Sequence, residues 1–173
     1  RDSYDIYTPE MLMRKVAIKP GDILIINTGY HRYAWDQEES DEIRYFCKHP
    51  GPGPDFHIWA LDMHLKWIGV DCGSADHPMN TIIAQWHPKL FKEAEKKLSE
   101  KYGIKNWDEM FPSEEYYQIM HLKLFPKGLV HAENVGGEIE KISNKRVWIG
   151  CFPLRGIELD SSMCRIIALE PPE

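Results

Sequence analysis

A continuous apolar run, Ile23–Ile26, constrains the fold of this chain more than any other feature. A turn signal with proline and glycine, residues 19–22, precedes it, and three of its four residues are β-branched. Such a run is typical of a strand that is buried on both faces, as in parallel sheets. The strand would deliver residues 27–30 to its carboxyl end, where sites of α/β proteins often lie. We therefore expect an α/β fold with a site at that edge.

Two helices are predicted from their cap signals. Thr8 followed by Pro9 is a helix start, and the helix is expected to end near Lys15. Residues 88–102 have an apolar stripe opposite a face of lysines and glutamates, and Gly103 supplies a stop. The charged face of this second helix is read as solvated surface.

A further helix is predicted to begin at Asp55. Its apolar positions follow the helical period and end in a glycine: Ile58, Leu61, Leu65, Ile68 and Gly69. The proline–glycine segment before it, residues 49–54, has three prolines without amide donors, so we expect an ordered loop or lid there. Strands are expected at residues 70–72, 128–132, 146–151 and 164–169.

Charge and apolar content exclude two classes of partner. With 21 basic and 27 acidic residues, the net charge of -6 offers no basic field for a phosphate backbone, so no nucleic acid is expected. No apolar run approaches the roughly 18 to 20 residues of a membrane span, so no membrane partner is expected. The four cysteines are widely spaced without a Cys-x-x-Cys pair, which predicts reduced thiols and a cytoplasmic location.

His121 and Glu133 are the strongest candidates for chemistry. A turn at residues 126–128 lies between them and would fold both onto one site. Imidazole and carboxylate suit zinc or manganese. His131 is a second candidate, because strand parity puts it on the side of Glu133, but we rank it below His121. By residue type alone, a histidine and a glutamate at such a spacing are more often surface or hydrogen-bonded side chains than metal ligands.

The turn over residues 71–77 contains two aspartates, a serine and a histidine. Ser74 as a nucleophile would need a histidine base and an oxyanion hole, and no nucleophile-elbow pattern surrounds it. Ordinary turn chemistry explains these residue types equally well. Several aromatic side chains would either wall a pocket or belong to the core. The residues assigned to a substrate pocket are Tyr30, Trp35, His49 and Phe56.

Taken in order, these segments resemble one family. Residues 21–30, which read Gly-Asp, strand, Thr-Gly-Tyr, are similar to a segment of the cyclase family of metal-dependent hydrolases, the family of bacterial kynurenine formamidase and isatin hydrolase. Further similarities follow in the family's order at Pro50-Gly51, residues 68–76, His121, Glu133-Asn134, Pro153-Leu154 and residues 165–168. The ordered set spans roughly residues 8–169, which makes it more specific than any single motif.

The resemblance implies a swivelling β/β/α fold and a hydrolase that uses a divalent metal, zinc or manganese, to cleave an amide, lactam or formamide C–N bond. In that family a His-x-Gly-Thr-His-x-Asp motif supplies the principal metal ligands, and a nearby histidine acts in catalysis. A later histidine and glutamate, matched by His121 and Glu133, complete a second metal position. A small-molecule amide or lactam as substrate and a higher oligomer are also implied.

The His-x-Gly-Thr-His-x-Asp motif does not occur in this sequence. We therefore expect residues 1–173 to be the C-terminal two thirds of a cyclase-like domain, completed by an N-terminal fragment or a second subunit that carries the motif and the catalytic histidine. Three origins of that part stay open. It is the product of a second gene, it is separated by cleavage before Arg1, or the sequence is a truncated product. Residues 78–120 are predicted to be a helical insertion. The alternative is a non-catalytic structural or binding subunit that retains the cyclase fold.

Overall fold

A computed structural model describes residues 2–112 and 114–170. Its mixture of helices and strands agrees with the predicted α/β class. In chain order the elements are β1 (Ile6–Tyr7), α1 (Pro9–Met13), β2 (Ile23–Ile26), α2 (Glu42–Cys47), β3 (Gly51–Pro52), α3 (Phe56–Asp62), β4 (Trp67–Val70), α4 (Ile83–Trp86), α5 (Pro88–Tyr102), α6 (Trp107–Met110), β5 (Val130–Ala132), β6 (Trp148–Pro153) and β7 (Cys164–Leu169). Short 3-10 turns and one π-helical segment, Ile119–Leu124, connect them. None of the described helices is long and apolar enough to cross a bilayer.

Three parallel strands in the order β2–β4–β5 form the sheet that positions the candidate site. Strand β2 has the predicted bounds, and Leu24 and Ile26 are buried. The prediction that it is buried on both faces is wrong, because Ile23 is 39% exposed. The opposite face of β2 borders a surface groove that Ile142 and Trp148 also line.

Helix α3 is shorter than the apolar spacing predicts. It ends at Asp62, and His64 then takes a φ of 49°, which diverts the chain from the helical path. Ile68 and Gly69, which were predicted to end the helix, lie instead in β4. All four residues of β4 are buried and paired with β2, and the first three also pair with β5, so sheet pairing overrides the helical spacing.

The proline–glycine segment forms sheet pairing, contrary to the prediction of an irregular loop. The amides of Gly51 and Gly53 donate to the carbonyls of Asp5 and Tyr7, so β3 pairs with β1 in parallel. The prolines lack donors, but these two glycines supply the donors that the pairing needs. A Cβ on Gly51 would lie 2.3 Å from the Cα of His77, so this close approach requires glycine. The segment is a buried wall of the core.

Helices α1 and α5 follow their cap signals. The hydroxyl of Thr8 accepts the amide of Met11 at 3.4 Å, and α5 has its predicted bounds, ending at Gly103 with a φ of 71°. Ala94 and Leu98 of α5 are fully buried in an apolar cluster that lies against β1. That the helices of residues 78–120 are an insertion stays a prediction.

Candidate metal centre

Asp71, the first residue after β4, fixes the loop that follows β2. Its Oδ1 accepts the amide and the hydroxyl of Thr28 at 2.8 and 2.6 Å. Its Oδ2 accepts the amides of Gly29 and Tyr30 at 2.8 and 3.0 Å, and His31 Nδ1 lies 3.0 Å away. Burial acts to raise the pKa of Asp71, but the hydrogen bonds from His31 and Thr28 outweigh it and hold the pKa below its usual range. Asp71 is therefore a buried carboxylate with both oxygens occupied.

Asp76 makes a similar arrangement with the π-helical segment. Its Oδ1 accepts the amide of Met120 at 2.8 Å, and its Oδ2 lies 2.7 Å from His121 Nδ1 and accepts the amide of His121 at 3.2 Å. The segment is anchored by Met120 and Leu124, which are buried in the main core, and each such side chain contributes roughly 1.5–3 kcal/mol. Turns of this π type recur at functional sites. His121 is thus held with Nδ1 on Asp76 and Nε2 free to face β5.

His121, His131 and Glu133 form what we call the donor cluster. Each offers one ligand atom, and the three atoms lie within 4.8 Å of one another. His121 Nε2 is 3.5 Å from Glu133 Oε1, which also accepts the amide of Ala75 at 2.7 Å. The ring of His131 stacks on Phe125 with centroids 3.8 Å apart. The side chains of His121 and Glu133 are 37% and 24% exposed, so solvent reaches the cluster.

The surroundings of the donor cluster shift the pKa values of its three side chains. The hydrogen bond to Asp76 raises the pKa of His121, against the opposing effect of burial. Burial, followed by the neighbouring His121, lowers the pKa of His131 and favours its neutral form. Burial raises the pKa of Glu133, against the Ala75 amide and His121. A neutral imidazole is the form that binds a metal, and a cation among the three groups would compensate the negative charge of the Glu133 carboxylate.

The chemistry of the cluster fits a divalent metal. Two imidazoles and one carboxylate are a donor set of catalytic zinc sites, which keep a further position open. Ligating histidines usually donate their other ring N–H to a carboxylate, and Asp76 occupies that place behind His121. The structure brings together the two predicted ligands, His121 and Glu133, and adds His131, the candidate that was ranked below His121. The contribution of Asp76 was missed.

The four residues assigned to a substrate pocket do not share one surface. Tyr30 and Phe56 are buried in the main apolar core, whereas Trp35 is 90% exposed. His49 is fully buried with its Nδ1 2.8 Å from the carbonyl of Pro50, and burial lowers its pKa to about 4. A role of these residues in substrate binding stays a prediction. Large aromatic side chains bury so much apolar area that packing competes with any pocket role.

Ser74 acts as a turn residue in this structure. Its hydroxyl accepts the amide of Asp76 at 3.2 Å, and its carbonyl accepts the thiol of Cys72 at 3.3 Å. These contacts stabilise the turn that presents Asp76 to the π-helical segment. Ordinary turn chemistry therefore accounts for Ser74.

Comparison with known proteins supports the resemblance over the first part of the chain. Residues 1–77 match the family described as "Putative cyclase". The matched range includes β1 to β4 together with Asp71 and Asp76, and it ends before the donor cluster. No curated protein and no solved structure matches the chain.

Proposed function

We propose that this chain is a subunit or processed fragment of a metal-dependent hydrolase that cleaves an amide, lactam or formamide C–N bond. The observation that carries the proposal is the donor cluster, with Asp76 behind His121, adjoining a region that matches the cyclase family. When bound, a divalent metal lowers the pKa of a water to about 7 and polarises a carbonyl under attack.

His121 and Glu133 are the proposed ligands from this chain. Asp76 accepts the hydrogen bond from His121 Nδ1, which leaves Nε2 as the ligand atom and directs it toward Glu133. The amide of Ala75 holds Glu133 Oε1 from the other side. Because Asp76 is fully buried, the imidazole is oriented before any ligand arrives, while the exposed side of the cluster leaves room for a substrate carbonyl.

We further propose that an N-terminal fragment or partner subunit completes the swivelling β/β/α domain. That part would carry the His-x-Gly-Thr-His-x-Asp motif and the catalytic histidine. The position of β2 at the edge of the sheet supports completion by a further part, because within the described residues β2 pairs with β4 alone. The groove along Ile23, which both apolar and charged side chains line, would accommodate the side chains of an added strand. A higher oligomer and a cytoplasmic location are retained as predictions.

The test is hydrolysis by the natively purified protein together with any companion chain. Intact-mass measurement would identify the companion, and its sequence would be searched for the motif. A formanilide, an aryl amide and a lactam are then assayed with and without a chelator. We expect chelator-sensitive hydrolysis of at least one of them, and a loss of one or more orders of magnitude in rate for His121→Ala and Glu133→Ala.

His87→Ala is the matched control, since His87 precedes α5 and lies outside the donor cluster. Its hydrolysis rate should equal that of the unmodified protein. Activity that is indifferent to the chelator and to both ligand variants would contradict the proposal. It would favour a non-catalytic structural or binding subunit that retains the cyclase fold.

A further inference from the structure

We propose that the free edge of β2 and the β6–β7 hairpin form one docking surface, which binds an extended segment with apolar and acidic side chains. The segment belongs to the companion chain that carries the His-x-Gly-Thr-His-x-Asp motif. This assignment rests on the proposed function and deepens it by naming where the partner binds. The docking surface has two parts, the groove lined by β2 and residues 142–149 and the outer face of the hairpin.

The groove is present before any partner binds. It has a volume of about 930 Å³, and two side-chain contacts tie residues 142–149 to the ends of β2. Asn27 Nδ2 donates to Ser143 Oγ at 2.9 Å, just beyond the last residue of the strand. Arg146 Nη2 donates to Asp22 Oδ1 at 2.9 Å, just before the first residue. Such a preformed groove lowers the ordering cost of binding.

The free edge of β2 can pair with a further strand. Within the described residues, no backbone group apart from those of β4 bonds to Ile23–Ile26. An edge strand of this kind presents a row of donors and acceptors to a partner. Ile23 is 39% exposed and Ile25 is half-buried, and both line the groove. The segment is therefore expected to add to β2 as a strand and to pack apolar side chains on these two residues.

The outer face of the hairpin has the composition of a buried surface. Residues that lie directly opposite each other across β6 and β7 share a face. One face therefore has four large apolar side chains, 45–78% exposed, and a single charge: Trp148, Phe152, Ile167, Leu169 and Arg165. A solvated face of an antiparallel sheet normally has polar side chains, so we infer that this face is covered in the functional protein.

The size of the patch is appropriate to a protein partner. Large aromatic side chains offer roughly 150–250 Å² each, and the four on the outer face together expose on the order of 500 Å². A patch of that size usually marks an interaction site, and one side of a stable interface buries about 800 Å². Within the part of the chain that the structure describes, the hairpin pairs with no third strand, and an isolated hairpin is marginally stable in water.

One side chain joins the two parts of the docking surface. Trp148 lines the groove and also belongs to the outer face, so a single extended segment can contact both. The apolar surface is therefore continuous from the edge of β2 to the hairpin.

The charge of the groove determines the chemistry of the segment. In a chain of net charge -6, the groove is lined by four basic and two acidic side chains: Lys15, Arg32, Lys145, Arg146, Asp22 and Glu140. Two of the basic groups pair with carboxylates, whereas no described carboxylate forms an ion pair with Lys15 or Arg32. Acidic side chains on the segment would complement these two cations.

The experiment uses the natively purified protein with its companion chain. A photoreactive benzoylphenylalanine replaces Phe152 in one sample and Trp86, which is 70% exposed on α4, in the control sample. After irradiation, mass spectrometry identifies the crosslinked peptides. We expect the probe at Phe152 to crosslink to the companion chain that contains the motif, and the probe at Trp86 not to.

Dissociation of the native complex on dilution, measured by analytical ultracentrifugation, gives a second readout. Ile167→Asp places a charge in the outer face, and Ile43→Asp on α2 is the matched control, because the two residues are 45% and 46% exposed. We expect the dissociation constant to rise about 10-fold or more for Ile167→Asp and to stay unchanged for Ile43→Asp. Lys15→Glu, which leaves the hairpin intact, should also weaken the complex, and less so at high salt.

A crosslink from position 152 to a second copy of residues 1–173, or no crosslink from that position, would overturn the docking surface. Equal dissociation constants for Ile167→Asp and Ile43→Asp would overturn it too, as would a protein that purifies without a companion chain.

The result is separable from the outcome for the proposed function. A companion chain that crosslinks to position 152, without hydrolysis of any C–N substrate, would sustain the docking surface and contradict the hydrolase. Chelator-sensitive hydrolysis by a complex that Ile167→Asp and Lys15→Glu do not weaken would sustain the hydrolase and contradict the docking surface.

Discussion

Two aspartates that follow β4, five residues apart, hold a histidine in the same way but in different surroundings. Asp71 accepts four backbone amides and the Thr28 hydroxyl, and its histidine, His31, has Nε2 3.7 Å from the half-exposed Glu140. Asp76 accepts two amides, and the Nε2 of its histidine faces the donor cluster. The same Asp–His pair therefore serves as a loop anchor at the first position and as the support of a candidate ligand at the second.

The largest expected effect is on stability, at the anchor. Asp71→Ala would remove a buried acceptor that takes hydrogen bonds from the Thr28 amide and hydroxyl and from the Gly29 and Tyr30 amides, and each donor that then stays unsatisfied costs about 1–3 kcal/mol. We expect the free energy of unfolding, measured with urea, to fall by about 4 kcal/mol or more. Asp76→Ala leaves fewer donors without an acceptor, so it should lower the free energy of unfolding by about half as much. A larger loss for Asp76→Ala than for Asp71→Ala would break the comparison.

His49 lies near both Asp71 and Asp76, and its titration makes the stability of the fold depend on pH. Both carboxylates act to raise its pKa, but burial dominates and lowers the pKa to about 4. The unfolded chain, with an ordinary pKa of about 6.5, then binds the proton more readily, so stability decreases as pH falls from about 6.5 to about 4. The decrease for His49 is on the order of 3 kcal/mol.

Urea unfolding at several pH values would measure this decrease. His49→Asn, which retains a donor for the Pro50 carbonyl, should reduce the pH slope although its stability at neutral pH is lower. Burial lowers the pKa of His77 to about 3, so His77 would account for part of the remaining slope. An unchanged slope in His49→Asn would show that His49 does not titrate in this way.

The third expected effect is on metal affinity, and it distinguishes the Asp76–His121 pair from the Asp71–His31 pair. Asp76→Asn can still accept the Met120 amide, but it loses the charge that orients and polarises His121. We expect zinc affinity, measured by chelator competition, to fall about 10- to 100-fold with a much smaller change in stability. Asp71→Asn should leave zinc affinity nearly unchanged. Equal losses of affinity in both variants would mean that the two pairs do not differ in role.

The smallest expected effect is at the outer partner of His31. Glu140 is 56% exposed, so Glu140→Gln should change the free energy of unfolding by less than about 0.5 kcal/mol and leave zinc affinity unaltered. The equivalent substitution near His121 is Glu133→Gln, which replaces the carboxylate of a proposed metal ligand with a neutral amide. Urea unfolding and chelator competition on both variants would measure the difference, and similar behaviour of the two would remove the distinction between anchor and ligand support.

The features that the sequence predicted well are local ones. The bounds of α5 follow from its own apolar stripe and from Gly103, and those of β2 from its β-branched run and the preceding turn. The boundary between α3 and β4 was missed because Ile68 also fits helical spacing, and only its pairing with strands distant in sequence decides between the two.

The same reasoning applies to the site. His131 and Glu133 are two residues apart, so strand parity was enough to place them together. His121 came from its residue type, from the turn at residues 126–128 that separates it from Glu133, and from the resemblance. The contact of Asp76 with His121 spans 45 residues and leaves no periodicity in the sequence that would reveal it.

That separation has a consequence for the order of folding. The bond from Met120 to Asp76 closes a loop of 44 residues that contains α4, α5 and α6. Closing so long a loop costs on the order of 3 kcal/mol of chain entropy, and contacts of such range form slowly. Local elements such as α5 are therefore expected to form before the cluster, and a refolding chain would acquire its capacity to bind a metal late, together with the sheet, whose strands pair residues as far apart as Trp67 and Val130.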